Sequence, residues 1–250
     1  MIRTRIWALV LPAVLSGAAL ADPHIAPPQP ADYAALARLP DWSGTWQPDW
    51  SSLFGARAGL KPPLTPAAAA TAAAFEAGKG KGENLQTDAA NCVPPGMPQI
   101  MRMPYPIEFI YSPGRVTIAA ETYSQVRRIY TDGRPLPADP DPAYNGWSIG
   151  HWDGDTLVVD TIGLNARTSI LPGIHPTDQA RIRERFHLVK PDVLLVETEI
   201  TDPTVFAQPF ELKQAYVRKR DWQIREYVCQ ENNRDASDPF GRPSLDISKR

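Results

Sequence analysis

From Pro106 to Cys229, short runs of alternating apolar and polar residues are separated by turn-forming residues. The runs are rich in β-branched and aromatic residues, and the turns contain pairs such as Asp153-Gly154 and Pro113-Gly114. A period of two is typical of strands with one buried face, and such turns are typical of hairpins. The pattern predicts nine strands in this region, at 107–111, 115–123, 125–131, 147–152, 156–162, 181–189, 193–201, 210–218 and 222–229. The motif Trp42-Ser-Gly-Thr-Trp46 resembles a short first strand before them.

This succession of strands predicts a mainly β fold. About nine strands in an antiparallel meander can close into a lipocalin-like, calycin-type barrel, and closure would remove the exposed sheet edges. A two-sheet sandwich is the alternative.

The remaining segments of the chain divide around this β domain. Thr65 as N-cap, Pro66 in the first turn and an Ala-rich run to Gly78 predict one N-terminal helix over residues 65–78. Residues 22–40 are rich in Pro and Ala and predict a loosely held arm. We expect a single β domain over residues 41–235 and a flexible tail over 236–250.

The first residues have the pattern of an export signal. Arg3 and Arg5 precede a short apolar run at 6–15, and Ala19 to Ala21 form a small-x-small cleavage site. The apolar run is too short to span a bilayer comfortably. The sequence therefore predicts cleavage after Ala21 and a periplasmic or secreted protein with no membrane span.

Cys92 and Cys229 are the two cysteines of the chain. In an oxidising compartment, two distant cysteines favour a disulfide over a catalytic thiol. A structural zinc site would need more ligands.

Composition excludes several classes of function. A formal net charge of −2 and a pI near 6.1 do not suggest nucleic-acid binding. Gly-rich phosphate-binding loops are absent from the sequence, so we expect no nucleotide cofactor. His151, Asp153 and Asp155 have a spacing that could suit a metal, but the hairpin turn at Asp153-Gly154 explains both acids. We therefore predict no metal site.

Strand alternation points to two candidate carboxylates. Glu184 shares a strand face with Ile182 and Phe186, and Glu226 shares one with Trp222 and Val228. A carboxylate on an apolar face must be paired, protonated or hydrated. One interpretation is a catalytic acid–base pair lining a cavity, and the other is ion pairing with Arg128, which shares a face with Val126 and Tyr130.

The remaining candidate site residues are one histidine and three aromatic residues. His151 lies on a strand face with Trp147 and could move a proton near neutral pH, although such a residue is more often structural. Tyr130, Trp147 and Trp222 are either core residues or a stacking surface for a flat ligand, with Arg128 as a polar anchor.

Five motifs occur in a recognisable order. They are Trp42-Ser-Gly-Thr-Trp, Cys92-x-Pro-Pro-Gly-Met-Pro, Val126-Arg-Arg-Ile-Tyr-x-Asp-Gly-Arg, the Gly146–Thr161 block and Glu226-Tyr-Val-Cys-x-Glu-Asn. Together they resemble a family of secreted, uncharacterised bacterial proteins, over residues 42–233. The resemblance implies export and brings no activity with it. Trp147 stands where that family is expected to have His, so chemistry carried by that His would be lost or altered here.

Three functions are compatible with these observations. The first is an exported barrel that binds a small hydrophobic or aromatic molecule in its interior, anchored by Arg128, His151, Glu184 and Glu226. The second is a cofactor-independent lyase, isomerase or hydratase in which Glu184, Glu226 and His151 perform acid–base catalysis. The third is a structural or assembly partner at the cell envelope.

Overall fold

The computed structural model describes residues 27–51, 61–81 and 92–229. In this part of the chain nine strands form one closed barrel, which confirms the predicted fold and excludes the two-sheet sandwich. The predicted export signal (1–21) and C-terminal tail (236–250) lie outside the described residues. The strands are β1 (Thr45–Pro48), β2 (Ile107–Ser112), β3 (Arg115–Ala120), β4 (Gln125–Tyr130), β5 (Trp147–Asp153), β6 (Thr156–Ile162), β7 (Arg181–Lys190), β8 (Val193–Thr201) and β9 (Phe210–Lys219), and the α-helices are α1 (Pro30–Ala35) and α2 (Pro66–Gly80).

Each strand pairs with the next one along the chain, and β1 closes the ring by pairing with β9. This closure gives both edges of the sheet a partner. The β4–β5 pair is parallel, whereas the other neighbouring strands are antiparallel. Residues 131–146 place the start of β5 beside the last residues of β4, with Ile129 opposite Ser148 and Tyr130 opposite Ile149. β5 therefore continues past the point where β4 ends, and the rim of the barrel is uneven there.

Inward-facing side chains of the strands form the core. On β7, Ile182 and Phe186 are buried on the same face as Glu184, while Leu194 and Val196 on β8 are buried opposite them. Full burial of a side chain of this size stabilises the fold by roughly 1.5–3 kcal/mol. The inward side chains join one continuous hydrophobic cluster that runs through the barrel.

Trp42 closes the barrel at the end that holds the β2–β3 and β5–β6 turns. Its ring centroid lies 5.0 Å from that of Phe109 and 5.1 Å from that of Trp152. The side chain is 1% exposed, although it precedes β1 in the chain. The Trp-Ser-Gly-Thr-Trp motif therefore supplies both an end plug, Trp42, and an interior residue of β1, Trp46.

The proline-rich segment before β2 is also part of the core. Gly96 adopts a φ of +59°, and a Cβ on it would lie 2.2 Å from the carbonyl oxygen of Tyr144. The turn lets the Met97 amide donate to that same carbonyl at 2.8 Å. The Met97 and Met101 side chains are consequently buried in the core cluster.

The predicted last strand, 222–229, is wrong. This segment is an extended strap along the barrel, because β9 already pairs with β8 on one side and β1 on the other. The strap is held by the Arg225 amide, which donates to Glu121 at 2.9 Å, and by the Thr45 hydroxyl, 3.0 Å from the Trp222 carbonyl oxygen. The predicted disulfide between Cys92 and Cys229 is confirmed, with a Cα–Cα distance of 5.8 Å.

Both α-helices lie N-terminal to most of the barrel. Thr65 caps α2 as predicted, since its hydroxyl accepts from the Ala68 amide at 3.3 Å. α1 forms within the segment predicted to be a loose arm, and its end continues as a 3-10 helix over Leu36–Arg38. Neither helix in the described ranges is long and apolar enough to cross a bilayer.

Candidate functional site

A buried ion pair lies within the barrel. Glu184 on β7 is fully buried, as alternation predicted, and it faces Arg127 on β4. Nη1 of Arg127 donates to Oε1 of Glu184 at 3.1 Å, and Nη2 donates to the other carboxylate oxygen. Nη2 also lies 3.0 Å from the hydroxyl oxygen of Thr161, which is 2.8 Å from the hydroxyl of Ser148. The two charges thus neutralise each other inside the protein, while Nε of Arg127 has no hydrogen-bond partner among the described residues.

The sequence predicted Arg128 as the partner of Glu184. This prediction is wrong by one residue, because the partner is Arg127. Arg127 and Ile129 point inward, while Val126 and Arg128 are exposed on the outer face of β4. Strand alternation correctly assigns Arg127 and Ile129 to one face of β4 and Val126 and Arg128 to the other. The apolar character of Val126 and Tyr130 wrongly suggested that their face is the interior one. A buried arginine is tolerated here because Glu184 lies opposite it.

The other predicted acid–base groups are not near Glu184. His151 is exposed on β5, where the inward positions belong to Ser148, Gly150 and Trp152. Glu226 is exposed on the strap, because residues 222–229 do not form a strand. The structure therefore does not bring Glu184, Glu226 and His151 together as a catalytic group.

Tyr216 is a further ionisable side chain that is buried in the core. Its hydroxyl donates to the carbonyl oxygen of Met101, and burial together with the negative charge of Glu184 raises the pKa of the phenol. A hydroxyl with this environment stays protonated and serves as a hydrogen-bond donor. Tyr216 is thus held by a backbone carbonyl, separately from the hydrogen bonds of the Arg127–Glu184 pair.

A groove of about 850 Å³ opens at the uneven rim of the barrel. One wall is formed by Tyr33 of α1, by Leu36 of the following 3-10 helix and by Leu39 directly after it. The opposite wall is formed by the β2–β3 turn, the end of β4 with residues 131–134, and Trp152 of β5. The groove lies between the arm and the part of the rim where β4 stops and β5 continues.

Four aromatic side chains line this groove. Tyr111 and Trp152 form part of its floor, with ring centroids 6.0 Å apart in an edge-to-face arrangement. Both rings also contact Trp42, which fixes them against the end plug. Tyr33 on the arm and Tyr130 on the sheet complete the aromatic lining.

Polar groups of the floor and wall are fixed by local contacts. The Tyr111 hydroxyl donates to the Pro40 carbonyl oxygen at 3.0 Å, and burial raises the pKa of this phenol. The Arg134 guanidinium lies 3.9 Å from the centroid of the Tyr130 ring and binds the Asp132 carboxylate through Nε at 2.9 and 3.0 Å. Arg134 holds the pKa of Asp132 below its ordinary value.

Of the residues predicted to bind a ligand, Tyr130 lines the groove. Trp147 is 41% exposed on β5, where its indole N–H donates to the Asp141 carbonyl, and Trp222 is 44% exposed on the strap. Neither these two residues nor Arg128 lines the groove.

The groove residues that sequence reasoning missed are Tyr33, Tyr111, Arg115 and Trp152. Tyr33 lies in the segment that was predicted to be a loosely held arm. Trp152 lies beside the Asp153-Gly154 hairpin turn, which accounted for the acidic residues next to it. These residues come from three separate parts of the chain, since Tyr111 and Arg115 flank the same hairpin turn. Strand alternation could have placed Tyr111 and Trp152 on inward faces, but it carries no information about what covers the rim.

Within the described ranges, His, Cys, Asp and Glu residues do not gather in groups of three or more that could hold a metal ion. Comparisons of the chain with protein-family models and with curated proteins gave no match.

Proposed function

We propose that this protein is an exported β-barrel that binds a small aromatic or hydrophobic molecule in the groove between the N-terminal arm and the barrel rim. The observation that carries this proposal is the aromatic lining of a groove with a volume of about 850 Å³. Binding sites for small molecules commonly have volumes of about 300–1,000 Å³ and combine aromatic walls with a few polar groups. The Cys92–Cys229 disulfide supports the proposed export, since such bonds persist in oxidising compartments.

The proposed site lies at the barrel rim and not in the interior that the sequence suggested. Large side chains such as Trp46, Phe186 and Tyr216 fill inward positions, and the Arg127–Glu184 pair occupies another part of the interior. At the rim, by contrast, Tyr33 is 59% exposed and Tyr130 is half-buried, so both side chains are accessible from the groove. An aromatic contact of this kind contributes roughly 0.5–1.5 kcal/mol beyond the burial of area.

Binding is favoured over acid–base catalysis by the state of Glu184. Its carboxylate is fully buried and paired with Arg127, and the other proposed catalytic groups, His151 and Glu226, are exposed elsewhere. A general base must reach the proton that it removes. The geometry of the groove offers stacking surfaces and hydrogen-bonding groups, which suit binding.

The test is a fluorescence titration of the mature protein with N-phenyl-1-naphthylamine, a neutral aromatic probe. Tyr33 is 59% exposed on α1, so Tyr33→Ala removes one wall of the groove with little effect on folding. We expect this substitution to weaken probe binding by about three- to tenfold, the loss of one stacking contact.

Trp222→Ala is the matched control, because Trp222 is an exposed aromatic residue outside the groove. It should leave the dissociation constant unchanged. Equal affinities of the wild type and Tyr33→Ala, or a loss of binding only in Trp222→Ala, would place the site elsewhere and overturn the proposal.

A further inference from the structure

We infer that the ligand of the groove carries a carboxylate and that Arg115 binds it. This inference rests on the proposed function and specifies the chemical class of the ligand. The inference is based on Arg115. Of the cationic side chains that line the groove, it is the one without a protein partner in the described part of the chain.

Arg115 occupies the first position of β3, opposite Ser112 on β2 and Tyr130 on β4. Its side chain lines the groove and is half-buried. The Nε atom is buried without a hydrogen-bond partner, and no described residue forms an ion pair with the guanidinium. Because solvent does not reach Nε, a ligand oxygen would be bound by the Nη donors at the end of the guanidinium, which are not among the buried unpaired atoms.

The other charged groups of the lining already have partners. Arg134 binds Asp132 and stacks on Tyr130. Asp32 accepts from the Gln29 backbone amide at 2.7 Å and caps the first turn of α1. Arg115 is therefore the cationic residue of the lining whose charge can pair with an anionic ligand.

The chemistry around Arg115 favours a flat monoanion. A guanidinium presents a planar fork of donors that fits a carboxylate through two hydrogen bonds. Asp32 lines the same groove without a cationic partner in the described part of the chain, and its negative charge disfavours a dianion such as a phosphate monoester. Because Tyr130 lies next to Arg115 in register, a carboxylate on Arg115 would place an attached ring against the aromatic wall.

The inference is tested with three probes that share one ring system and differ in charge: 2-naphthoate, 2-naphthamide and 2-naphthylmethylammonium. Their dissociation constants are measured at pH 7 by isothermal titration calorimetry on the mature protein. Wild type should bind 2-naphthoate about tenfold or more tightly than 2-naphthamide, since hydrogen bonds to a charged group are worth about 1.5–3 kcal/mol.

Arg115→Met removes the charge and keeps much of the apolar stem. It should reduce the affinity for 2-naphthoate to that for 2-naphthamide, while the affinity for 2-naphthamide stays within about twofold of the wild type. Arg128→Met is the matched control, because Arg128 is exposed on the neighbouring strand outside the groove. This control should bind all three probes as the wild type does, and thermal melting of both variants verifies that they are folded.

The outcomes separate the inference from the proposed function. Equal wild-type affinities for 2-naphthoate and 2-naphthamide would overturn the role of Arg115 and leave the aromatic groove in place. Tightest binding of 2-naphthylmethylammonium would also overturn it and assign the anchoring charge to Asp32. Failure of all three probes to bind would overturn the groove itself, and with it both proposals.

Discussion

Arg127 and Glu184 face each other across the barrel, with Nη1 of the arginine 3.1 Å from Oε1 of the glutamate. Arg127 is 2% exposed and Glu184 is fully buried, so each charge depends on the other for neutralisation. The two residues belong to β4 and β7, which are not neighbours in the sheet. The pair therefore links two parts of the barrel wall through its interior.

Glu184→Gln should lower the free energy of unfolding by about 3–5 kcal/mol, because it leaves the guanidinium of Arg127 buried without a counter-charge. Urea denaturation followed by circular dichroism measures the change. Asp160→Asn is the control, since Asp160 pairs with Arg183 at 2.8 Å on the outer surface, and there we expect a loss below about 1 kcal/mol. Unchanged stability of Glu184→Gln would show that the pair is not structural and would revive the catalytic interpretation of Glu184.

Replacing Gly96 by Ala should be far more destabilising than replacing Gly133 by Ala, although both glycines have positive φ angles of +59° and +81°. A Cβ at position 96 would meet the Tyr144 carbonyl oxygen at 2.2 Å, whereas one at position 133 has nothing within 4 Å. We expect a loss of about 1 kcal/mol for Gly133→Ala from backbone strain, and an additional loss of about 2 kcal/mol or more for Gly96→Ala from the clash. Thermal denaturation of the two variants provides the comparison, and equal losses would contradict this account.

The Cys92–Cys229 disulfide should contribute about 5 kcal/mol to stability in the chain-entropy model, because the two residues are 137 positions apart. Reduction should therefore lower the urea midpoint and raise hydrogen exchange in the strap, residues 222–229. A Cys92→Ser/Cys229→Ser variant should behave like the reduced protein and show no response to reductant. An identical midpoint for the oxidised and reduced wild type would mean that the remaining strap contacts suffice.

Asp41 should contribute to the loss of stability in acid. A hydrogen bond from the Ser43 side chain, with further contributions from the Ser43 amide and Arg218, lowers the pKa of Asp41 from 3.8 to about 2. Because the folded pKa lies below the unfolded one, this stabilisation is fully present above pH 4, approximately, and is lost as the pH falls toward 2. Since the Asp41 side chain is 66% exposed, we expect no more than about 1 kcal/mol.

Asp41→Asn should accordingly flatten the dependence of the unfolding free energy on pH between about 4 and 2. Asp139→Asn, an exposed aspartate in the segment before β5, is the control and should retain the wild-type slope. The measurement is urea denaturation at several pH values across this window. A wild-type slope in Asp41→Asn would contradict the assignment.

The barrel was largely predictable from the sequence, because strands and hairpin turns depend mainly on residues that are close together in the chain. The alternation on β7 placed Glu184 on a buried face, and Asp153-Gly154 marked the β5–β6 turn correctly. The two distant cysteines likewise predicted their disulfide, and Thr65 marked the start of α2.

Tertiary structure decided the orientation of faces and the location of the candidate site. Alternation separates Arg127 from Arg128, but only the position of Glu184 across the closed barrel determines which arginine is buried. Closure of β1 onto β9 likewise turned the predicted last strand into a strap, because no edge remained for it. The groove joins Tyr33, Arg115, Tyr130 and Trp152, whose contact depends on how the arm and the rim meet. Local sequence determines which strands can form, whereas long-range packing determines the surfaces that they create together.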